Sequence, residues 1–379
     1  MARRNKKPLV ILAAGGTGGH VFPAEALAAE LIKRGLSLAL VTDRRGENLK
    51  GGLGEIDTYR VSAGGVAGKN LSGRIISAFE ILVGTFQSWL LLRRLQPSVV
   101  IGFGGYASVP TMLAAAYSGI KAVIHEQNAV LGRANKLLAG RVGKIATSFE
   151  NVRKIPEALK LNTIVTGMPV RPTVISLHGE PYPALDQKGE IKIAVFGGSQ
   201  GAHIFSKVVP NALRLINEPL RRRIRITQQC RLEDVDQTKS KYQDLGIKAE
   251  ISSFFSDIPH RIADSHLVIC RSGASTIAEL TIIGRPAIFV PYMYAADDHQ
   301  SQNAYAIDEV GGGWLIPEKN FTEKVLADRL ESLFSVPKIL KNAGAAAEFL
   351  GKPNAVNNLA DIVIDLVSDK LKNKQWKTP

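Results

Sequence analysis

Residues 9–20 have the sequence LVILAAGGTGGH, an apolar run that opens directly into a glycine-rich turn, and a helix-like segment over 24–34 follows it. This order is typical of a strand, a tight turn and a helix. Backbone N–H groups at such a helix start are free to bind an anion, and the helix dipole adds to the attraction. We therefore expect a phosphate group to bind beside the imidazole of His20, which makes His20 the best candidate for a general base.

A second glycine turn, GGSQGA at 197–202, follows another apolar run at 191–196. Strand-like and helix-like segments alternate on both sides of the chain's midpoint, which favours parallel sheets with right-handed crossovers. The predicted fold class is α/β, with two Rossmann-like domains facing a central cleft. We expect a first domain over 1–168 and a second over 191–354.

Four prolines without periodicity lie between 169 and 189, so the segment 169–190 is predicted to be an interdomain linker about which the domains close. Residues 355–371 are amphipathic, and the end of the chain, 355–379, is expected to form a helix and a polar tail, the helix packing back on the first domain.

The composition is that of a globular protein, with 379 residues, 45% hydrophobic and 22% charged. A net charge of +14 favours an anionic partner such as a nucleotide or an anionic lipid surface. Aromatic residues are sparse and no basic run is interleaved with them, which disfavours nucleic acid. The two cysteines, Cys230 and Cys270, fit neither a metal site nor a disulfide framework, so we expect free thiols in a reducing cytoplasm.

The segment 71–95 is strongly apolar but is interrupted by charged residues, so a membrane-spanning helix is not expected. One broad face follows helical spacing, with Ile75, Phe79, Leu82, Phe86 and Trp89. Two interpretations stay open: an ordinary core helix, or an interfacial helix whose apolar face meets lipid within a ring of basic residues, Lys69, Arg74, Arg93 and Arg94.

Further polar motifs follow other predicted strands. They are GFGGYAS at 102–108, HEQN at 125–128, RSGASTIAE at 271–279 and DHQ at 298–300. Ligands bind at the carboxyl edge of parallel sheets, where these motifs fall. For Glu126 and Asn128 the alternative is capping of the following helix, and for Ser272 or Ser275 it is capping of the helix that holds Glu279.

Two other chemistries are disfavoured. Asp43 lies where a dinucleotide fold keeps its ribose-binding acid, but Val21 stands where the third glycine of that fingerprint belongs. Asp234 and Asp236 match the D-x-D pattern of metal-dependent sugar transferases, but they lie in a charged helix-like run that is typical of a solvated face. We expect no metal and no cofactor.

Taken together, GGTGGHVFPA, GFGGYAS, HEQN, PVRP, GGSQGA, RSGAST-x-x-E and DHQ-x-x-N resemble the MurG family, over about 9–365. The resemblance implies the two-domain GT-B fold and transfer of N-acetylglucosamine from UDP-N-acetylglucosamine to lipid I, undecaprenyl-diphosphate-MurNAc-pentapeptide. It implies a peripheral protein on the cytoplasmic face of the inner membrane, with other cell-wall synthesis and division proteins as partners. The chain departs from the family at Met168, in detail at 254–258, and in the placement of the aromatic residues of the apolar helix, Phe79, Phe86 and Trp89.

Carried over by position, the resemblance makes His20 the catalytic base and places Gly104, Gly105, Tyr106 and Glu126 on the acceptor side. The donor contacts that it implies are Thr17, Gly18, Gly19, Asn128, Arg171, Ser199, Phe255, Ile258, Ala274, Ser275, Thr276, Glu279 and Gln300. Three alternatives remain: a GT-B transferase with another acceptor, a nicotinamide oxidoreductase that uses Asp43, and a nonenzymatic membrane-docking protein.

Overall fold

The computed structural model describes residues 7–15, 18–44, 53, 56–65, 71–186, 188–198 and 201–375. The chain divides into two compact units. The first consists of Met1–Arg171 together with Asn354–Pro379, and the second is Pro172–Pro353. Each unit is built around one parallel sheet.

The sheet of the first unit has the strand order β3-β2-β1-β4-β5-β6-β7. The strands are β1 (Leu9–Ala13), β2 (Ser37–Thr42), β3 (Asp57–Arg60), β4 (Val99–Gly102), β5 (Lys121–Glu126), β6 (Lys144–Thr147) and β7 (Thr163–Val165). The strand order reverses direction between β1 and β4, which pair through Val10 with Val99. Such a switch point opens a crevice at the carboxyl ends of the strands.

Helices cover both faces of this sheet. They are α1 (Gly18–Lys33), α2 (Leu71–Leu95), α3 (Val109–Tyr117), α4 (Arg133–Leu138) and, at the end of the chain, α14 (Ala355–Gln375). Alternate residues of β1 point to opposite faces, so Leu12 packs with Leu27 and Leu359 while Ile11 packs on the side of Met112. Residues of α14 thus belong to the core of the first unit, where Val363 is fully buried.

The second sheet has the order β10-β9-β8-β11-β12-β13. Its strands are β8 (Ile191–Phe196), β9 (Ile224–Gln229), β10 (Lys248–Ser252), β11 (Leu267–Cys270), β12 (Ala287–Phe289) and β13 (Gly313–Leu315). The helices are α5 (Pro172–Ile175), α6 (His203–Leu215), α7 (Glu218–Arg221), α8 (Val235–Asp244), α9 (Ile258–Ala263), α10 (Ala274–Ile283), α11 (His299–Asp308), α12 (Glu323–Ser335) and α13 (Pro337–Phe349). The switch point lies between β8 and β11.

Most of the predicted linker, 169–190, is packed on the second unit rather than extended between domains. The unit boundary falls after Arg171. The hydroxyl of Tyr182 donates to the carbonyl of His266 at 2.6 Å, and the buried guanidinium of Arg285 donates to the carbonyl of Pro181 at 3.0 Å. These hydrogen bonds hold the proline-rich segment in place, because its own backbone has no regular pairing.

Candidate active site

The imidazole of His20 lies in the first turn of α1, against the glycine turn that follows β4. Gly104 and Gly105 have φ angles of +79° and +69°, a conformation that glycine adopts without a steric cost. A β-carbon on Gly105 would stand 3.2 Å from Cδ2 and 3.3 Å from Nε2 of His20. The two glycine turns of the first unit therefore meet at His20.

Behind this turn lies a buried second histidine, His125, whose two ring nitrogens are both engaged. Nε2 donates to the carbonyl of Gly167 at 3.0 Å, and Nδ1 accepts from Nε2 of Gln127 at 3.2 Å. This pattern assigns His125 as the neutral tautomer that carries its proton on Nε2. Burial, with a smaller contribution from the nearby His20, lowers the pKa of His125 to about 4, and the hydrogen bond to the Gly167 carbonyl opposes this shift.

Glu126, predicted on the acceptor side, is buried and turned inward. One carboxylate oxygen accepts from the backbone N–H of Asn128 at 3.0 Å, and the other accepts from Gly132 N–H at 2.9 Å and from Asn135 Nδ2 at 2.8 Å. Burial raises the pKa of this carboxyl, and these hydrogen bonds oppose the shift. Glu126 thus stabilises the start of α4 and the loop before it, in line with the capping alternative, and its acceptor-side role stays a prediction.

Other first-unit candidates surround the same edge of the sheet. Gly18 and Gly19 are the first residues of α1, whereas Thr17 lies outside the described residues. Tyr106 and Asn128 are half-buried, and the amide of Asn128 donates to Glu126 at 3.3 Å. The guanidinium carbon of Arg171 lies 5.5 Å from the ring centroid of Phe22, an exposed residue of α1.

The glycine turn of the second unit leads from β8 into α6. Gly198 and Gly201 have φ angles of +85° and +69°, and a β-carbon on Gly201 would lie 2.9 Å from the backbone nitrogen of Arg231. Only glycine fits so close to that backbone. Ser199, the predicted diphosphate ligand, lies outside the described residues.

The start of α10 holds several predicted donor contacts. Ala274, Ser275, Thr276 and Glu279 are half-buried there. The N-cap is Gly273, with no capping side chain. Neither Ser272 nor Ser275 caps the helix, contrary to the capping alternative, because the Ser272 hydroxyl donates to the carbonyl of Gln300 at 2.8 Å.

Gln300 is positioned by the loop that follows β12. Its side-chain oxygen accepts from the backbone N–H of Tyr292 at 2.9 Å, which fixes the orientation of the amide. A largely buried ion pair braces the same loop, since Arg271 Nη1 lies 2.9 Å from Glu318 Oε2 and that oxygen also accepts from Met293 N–H at 3.1 Å. These contacts fix Gln300 relative to the start of α10.

The predicted uracil contact Phe255 has a buried side chain. The guanidinium carbon of Arg261 lies 4.1 Å from its ring centroid, which covers one face of the ring. The neighbouring Phe254 is 72% exposed, and Ile258 is half-buried at the start of α9. The Phe255 ring therefore packs inward and Phe254 is the aromatic side chain that this loop exposes, while the framing of the uracil by Phe255 or Ile258 stays a prediction.

The helix α2 turns its largest apolar side chains outward. Ile75, Phe79, Leu82 and Phe86 are 60–68% exposed. The opposite face carries small side chains that pack closely on the rest of the unit. The hydroxyl of Ser88 forms a hydrogen bond with that of Thr111 at 3.2 Å, and a β-carbon on Gly84 would overlap the backbone of Ser62. Over Ile75–Leu95 the mean hydropathy is 1.6, so the helix is long and apolar enough to cross a membrane by composition alone.

Trp89 differs from the other predicted docking residues. It is half-buried against the core cluster on the α3 side, and the guanidinium of Arg93 lies 4.8 Å from its ring centroid. Its ring also stacks on that of Phe86, with the centroids 5.9 Å apart, so Trp89 lies at the edge of the outward face and its docking role stays a prediction. Lys69 lies outside the described residues.

Comparison with known proteins places these features in a family. The glycosyltransferase family 28 N-terminal domain matches residues 10–147, and the family 28 C-terminal domain matches residues 192–361. A UDP-N-acetylglucosamine--N-acetylmuramyl-(pentapeptide) pyrophosphoryl-undecaprenol N-acetylglucosamine transferase of Paramagnetospirillum magneticum is 52% identical over 365 residues, which are 96% of this chain and 98% of that protein. The chain belongs to this transferase family, the MurG family.

Other members and solved structures agree. The MurG-family transferase of Rhodospirillum rubrum is 53% identical over 93% of this chain and 91% of its own length. The crystal structure of Acinetobacter baumannii MurG has a TM-score of 0.78 at 28% identity and covers 94% of this chain and 99% of that one. The kitacinnamycin glycosyltransferase, at 12% identity and a TM-score of 0.69, over 95% of this chain and 99% of that one, shares the fold alone. The predicted GT-B fold is confirmed, and membership of the MurG family removes the oxidoreductase and nonenzymatic alternatives.

Proposed function

We propose that the chain transfers N-acetylglucosamine from UDP-N-acetylglucosamine to the C4 hydroxyl of the MurNAc unit of lipid I, with inversion at the donor carbon. The observation that carries the proposal is the similarity, over nearly the whole chain, to transferases whose names state these two substrates. The contact between His20 and the Gly104–Gly105 turn supports the residue-level mechanism.

On the acceptor side, His20 acts as the general base. An imidazole has an unperturbed pKa near 6.5 and so accepts a proton near neutral pH. His20 takes the proton of the C4 hydroxyl as that oxygen attacks C1 of the donor sugar. The positive dipole end of α1 and the N–H groups of the neighbouring glycine turns hold the acceptor diphosphate.

On the donor side, the bond between C1 and the diphosphate oxygen breaks and UDP leaves with the electron pair. Arg171, Ser199 and the N–H groups of the second-unit glycine turn stabilise the charge that develops on the diphosphate. The start of α10 receives the uridine, with Glu279 on the ribose hydroxyls and the amide N–H₂ of Gln300 on the sugar. The donor positions Thr17, Gly18, Gly19 and Asn128 complete this set.

The lipid acceptor requires the protein to work at a membrane surface. We propose that the outward face of α2, with Ile75, Phe79, Leu82 and Phe86, docks on the cytoplasmic leaflet, and that Arg93 and Arg94 contact anionic headgroups. An apolar face this exposed is unusual for a surface that meets only water.

The assignment is tested by incubating the purified protein with labelled UDP-N-acetylglucosamine and a short-chain lipid I analogue. Labelled sugar is expected on the analogue, and an analogue that lacks the MurNAc C4 hydroxyl is expected to stay unlabelled. Absence of transfer to the complete analogue, or equal labelling of the two, would contradict the proposal. Transfer only to an unrelated lipid-linked sugar would identify a GT-B transferase with another acceptor.

A further inference from the structure

Gln127 lies between the buried histidine and the turn that supports His20, and its side chain is itself buried. Its Nε2 donates to the carbonyl of Phe103 at 2.8 Å and to Nδ1 of His125 at 3.2 Å. Phe103 immediately precedes the Gly104–Gly105 turn. One amide group therefore ties the end of β4 to the end of β5.

The side chains of Gln127, His20 and Asn135 converge on a single point. A β-carbon on Gly104 would stand 3.5 Å from Oε1 of Gln127, from Cε1 of His20 and from Nδ2 of Asn135. The imidazole of His20 is thus confined by a turn whose position Gln127 holds.

We propose that Gln127 is a positioning residue for the transfer reaction: it fixes the turn that holds the His20 imidazole and holds His125 behind it in the tautomer with its proton on Nε2. The inference rests on the proposed function, because Gln127 has a positioning role in the reaction only if His20 removes the proton of the acceptor hydroxyl. Neither donor nor acceptor needs to touch Gln127.

The amide is suited to this position for two reasons. It donates two hydrogen bonds from one nitrogen and carries no charge, which neither a carboxylate nor a thioether can do. Its donor faces Nδ1 of His125, so protonation of that nitrogen would bring two donors together. The titratable groups near Gln127 are His20, His125 and Glu126, and the Glu126 carboxylate is occupied by the start of α4. Of the two histidines that the structure describes at this edge, His20 is therefore the one that we assign to proton transfer.

The test compares Gln127→Met, Gln127→Glu and a control, Gln243→Glu, which makes the same exchange at an exposed position of α8. Turnover is measured with the labelled donor and the lipid I analogue across pH. The two histidines are followed by NMR titration of ¹⁵N-histidine-labelled protein. Gln127→Met removes both hydrogen bonds at similar volume, and Gln127→Glu adds a negative charge at the same size.

For Gln127→Met we expect kcat to fall about 10- to 100-fold while KM for UDP-N-acetylglucosamine stays within about twofold. For Gln127→Glu the titration of His125, which contacts this side chain directly, is expected to move to higher pH. The His20 titration and the acidic limb of the pH profile are expected to move up by about one pH unit, because a nearby carboxylate favours the imidazolium. Gln243→Glu should match the wild type in every measurement. If Gln127→Met does not fold, the His20 titration in Gln127→Glu carries the test.

Wild-type kcat in folded Gln127→Met, or a His20 titration that Gln127→Glu leaves in place, would overturn the positioning role. Failure of the proposed function looks different, since wild-type protein would then transfer no sugar or His20→Ala would retain turnover. The NMR titration still reports in that case whether Gln127 acts on His20.

Discussion

His20 packs on Gly105 so closely that a β-carbon on the glycine would stand 3.3 Å from the ring nitrogen Nε2. Nε2 thus packs against the turn, and a methyl group added at Gly105 must displace the imidazole or the loop. The geometry makes a small substitution at Gly105 a sensitive probe of where the ring has to be.

Gly105→Ala is expected to lower kcat about 10- to 100-fold, because the ring of His20 shifts from its place. The left-handed backbone at this position adds a loss of roughly 1–2 kcal/mol in the free energy of unfolding. Gly119→Ala is the matched control, since Gly119 has a φ of +65° and open space around it. Equal turnover of the two alanine variants would show that the Gly105 contact has no part in catalysis.

Glu126→Gln is expected to destabilise the first unit by about 2 kcal/mol. The carboxylate accepts hydrogen bonds on both oxygens, and an amide would turn an N–H₂ group towards other donors. Thermal and urea unfolding measure the change. The exposed Glu309→Gln serves as the control, and a Glu126→Gln variant as stable as this control would remove the capping role.

His125 makes the stability depend on pH. Burial lowers its pKa from 6.5 to about 4 in the folded protein, so the unfolded chain takes up the proton first as the pH falls. Its contribution is fully present above about pH 6.5 and is lost towards pH 4, by up to about 3 kcal/mol.

Urea unfolding of the wild type, His125→Asn and the exposed His260→Asn measures this dependence. His125→Asn should show a shallower loss of stability between pH 6.5 and 4, whereas His260→Asn should follow the wild type. Parallel curves for all three proteins would mean that His125 titrates alike in the folded and unfolded states, which contradicts the lowered pKa.

Substitutions on the two faces of α2 are expected to have different effects on vesicle binding and on stability. Phe79→Ser and Leu82→Ser should weaken binding to vesicles that contain anionic lipid, with little change in Tm, because both side chains are two-thirds exposed. Trp89→Ser should instead lower the free energy of unfolding by about 2 kcal/mol, because its ring packs on the core. Undiminished flotation of the Phe79 and Leu82 variants would leave the helix without a docking role.

The apolar run at 191–196 coincides with β8, because parallel strands covered on both faces are continuous apolar runs. The edge strand β3, Asp57–Arg60, was missed because it is short, polar and mostly exposed. The start of α1 at Gly18 was missed as well, since two glycines and Pro23 mask the helical pattern.

Side-chain direction at the site was harder to predict than its location. Motifs after β1, β4, β5 and β11 correctly marked the carboxyl edges of the sheets. Sequence could not tell that Glu126 turns inward, because that follows from where the start of α4 packs. For the same reason the sequence could not tell which of Phe254 and Phe255 is exposed. The buried contact between His125 and Gln127 was not predictable beyond the place of both residues in the HEQN motif.

The central claim is that His20 removes the acceptor proton, and the most direct measurement is turnover of His20→Ala under conditions that saturate both substrates. We predict that kcat falls about 10²- to 10⁴-fold while the Kd for UDP-N-acetylglucosamine stays at its wild-type value. Wild-type kcat in a His20→Ala protein that is folded and binds the donor normally would contradict the account.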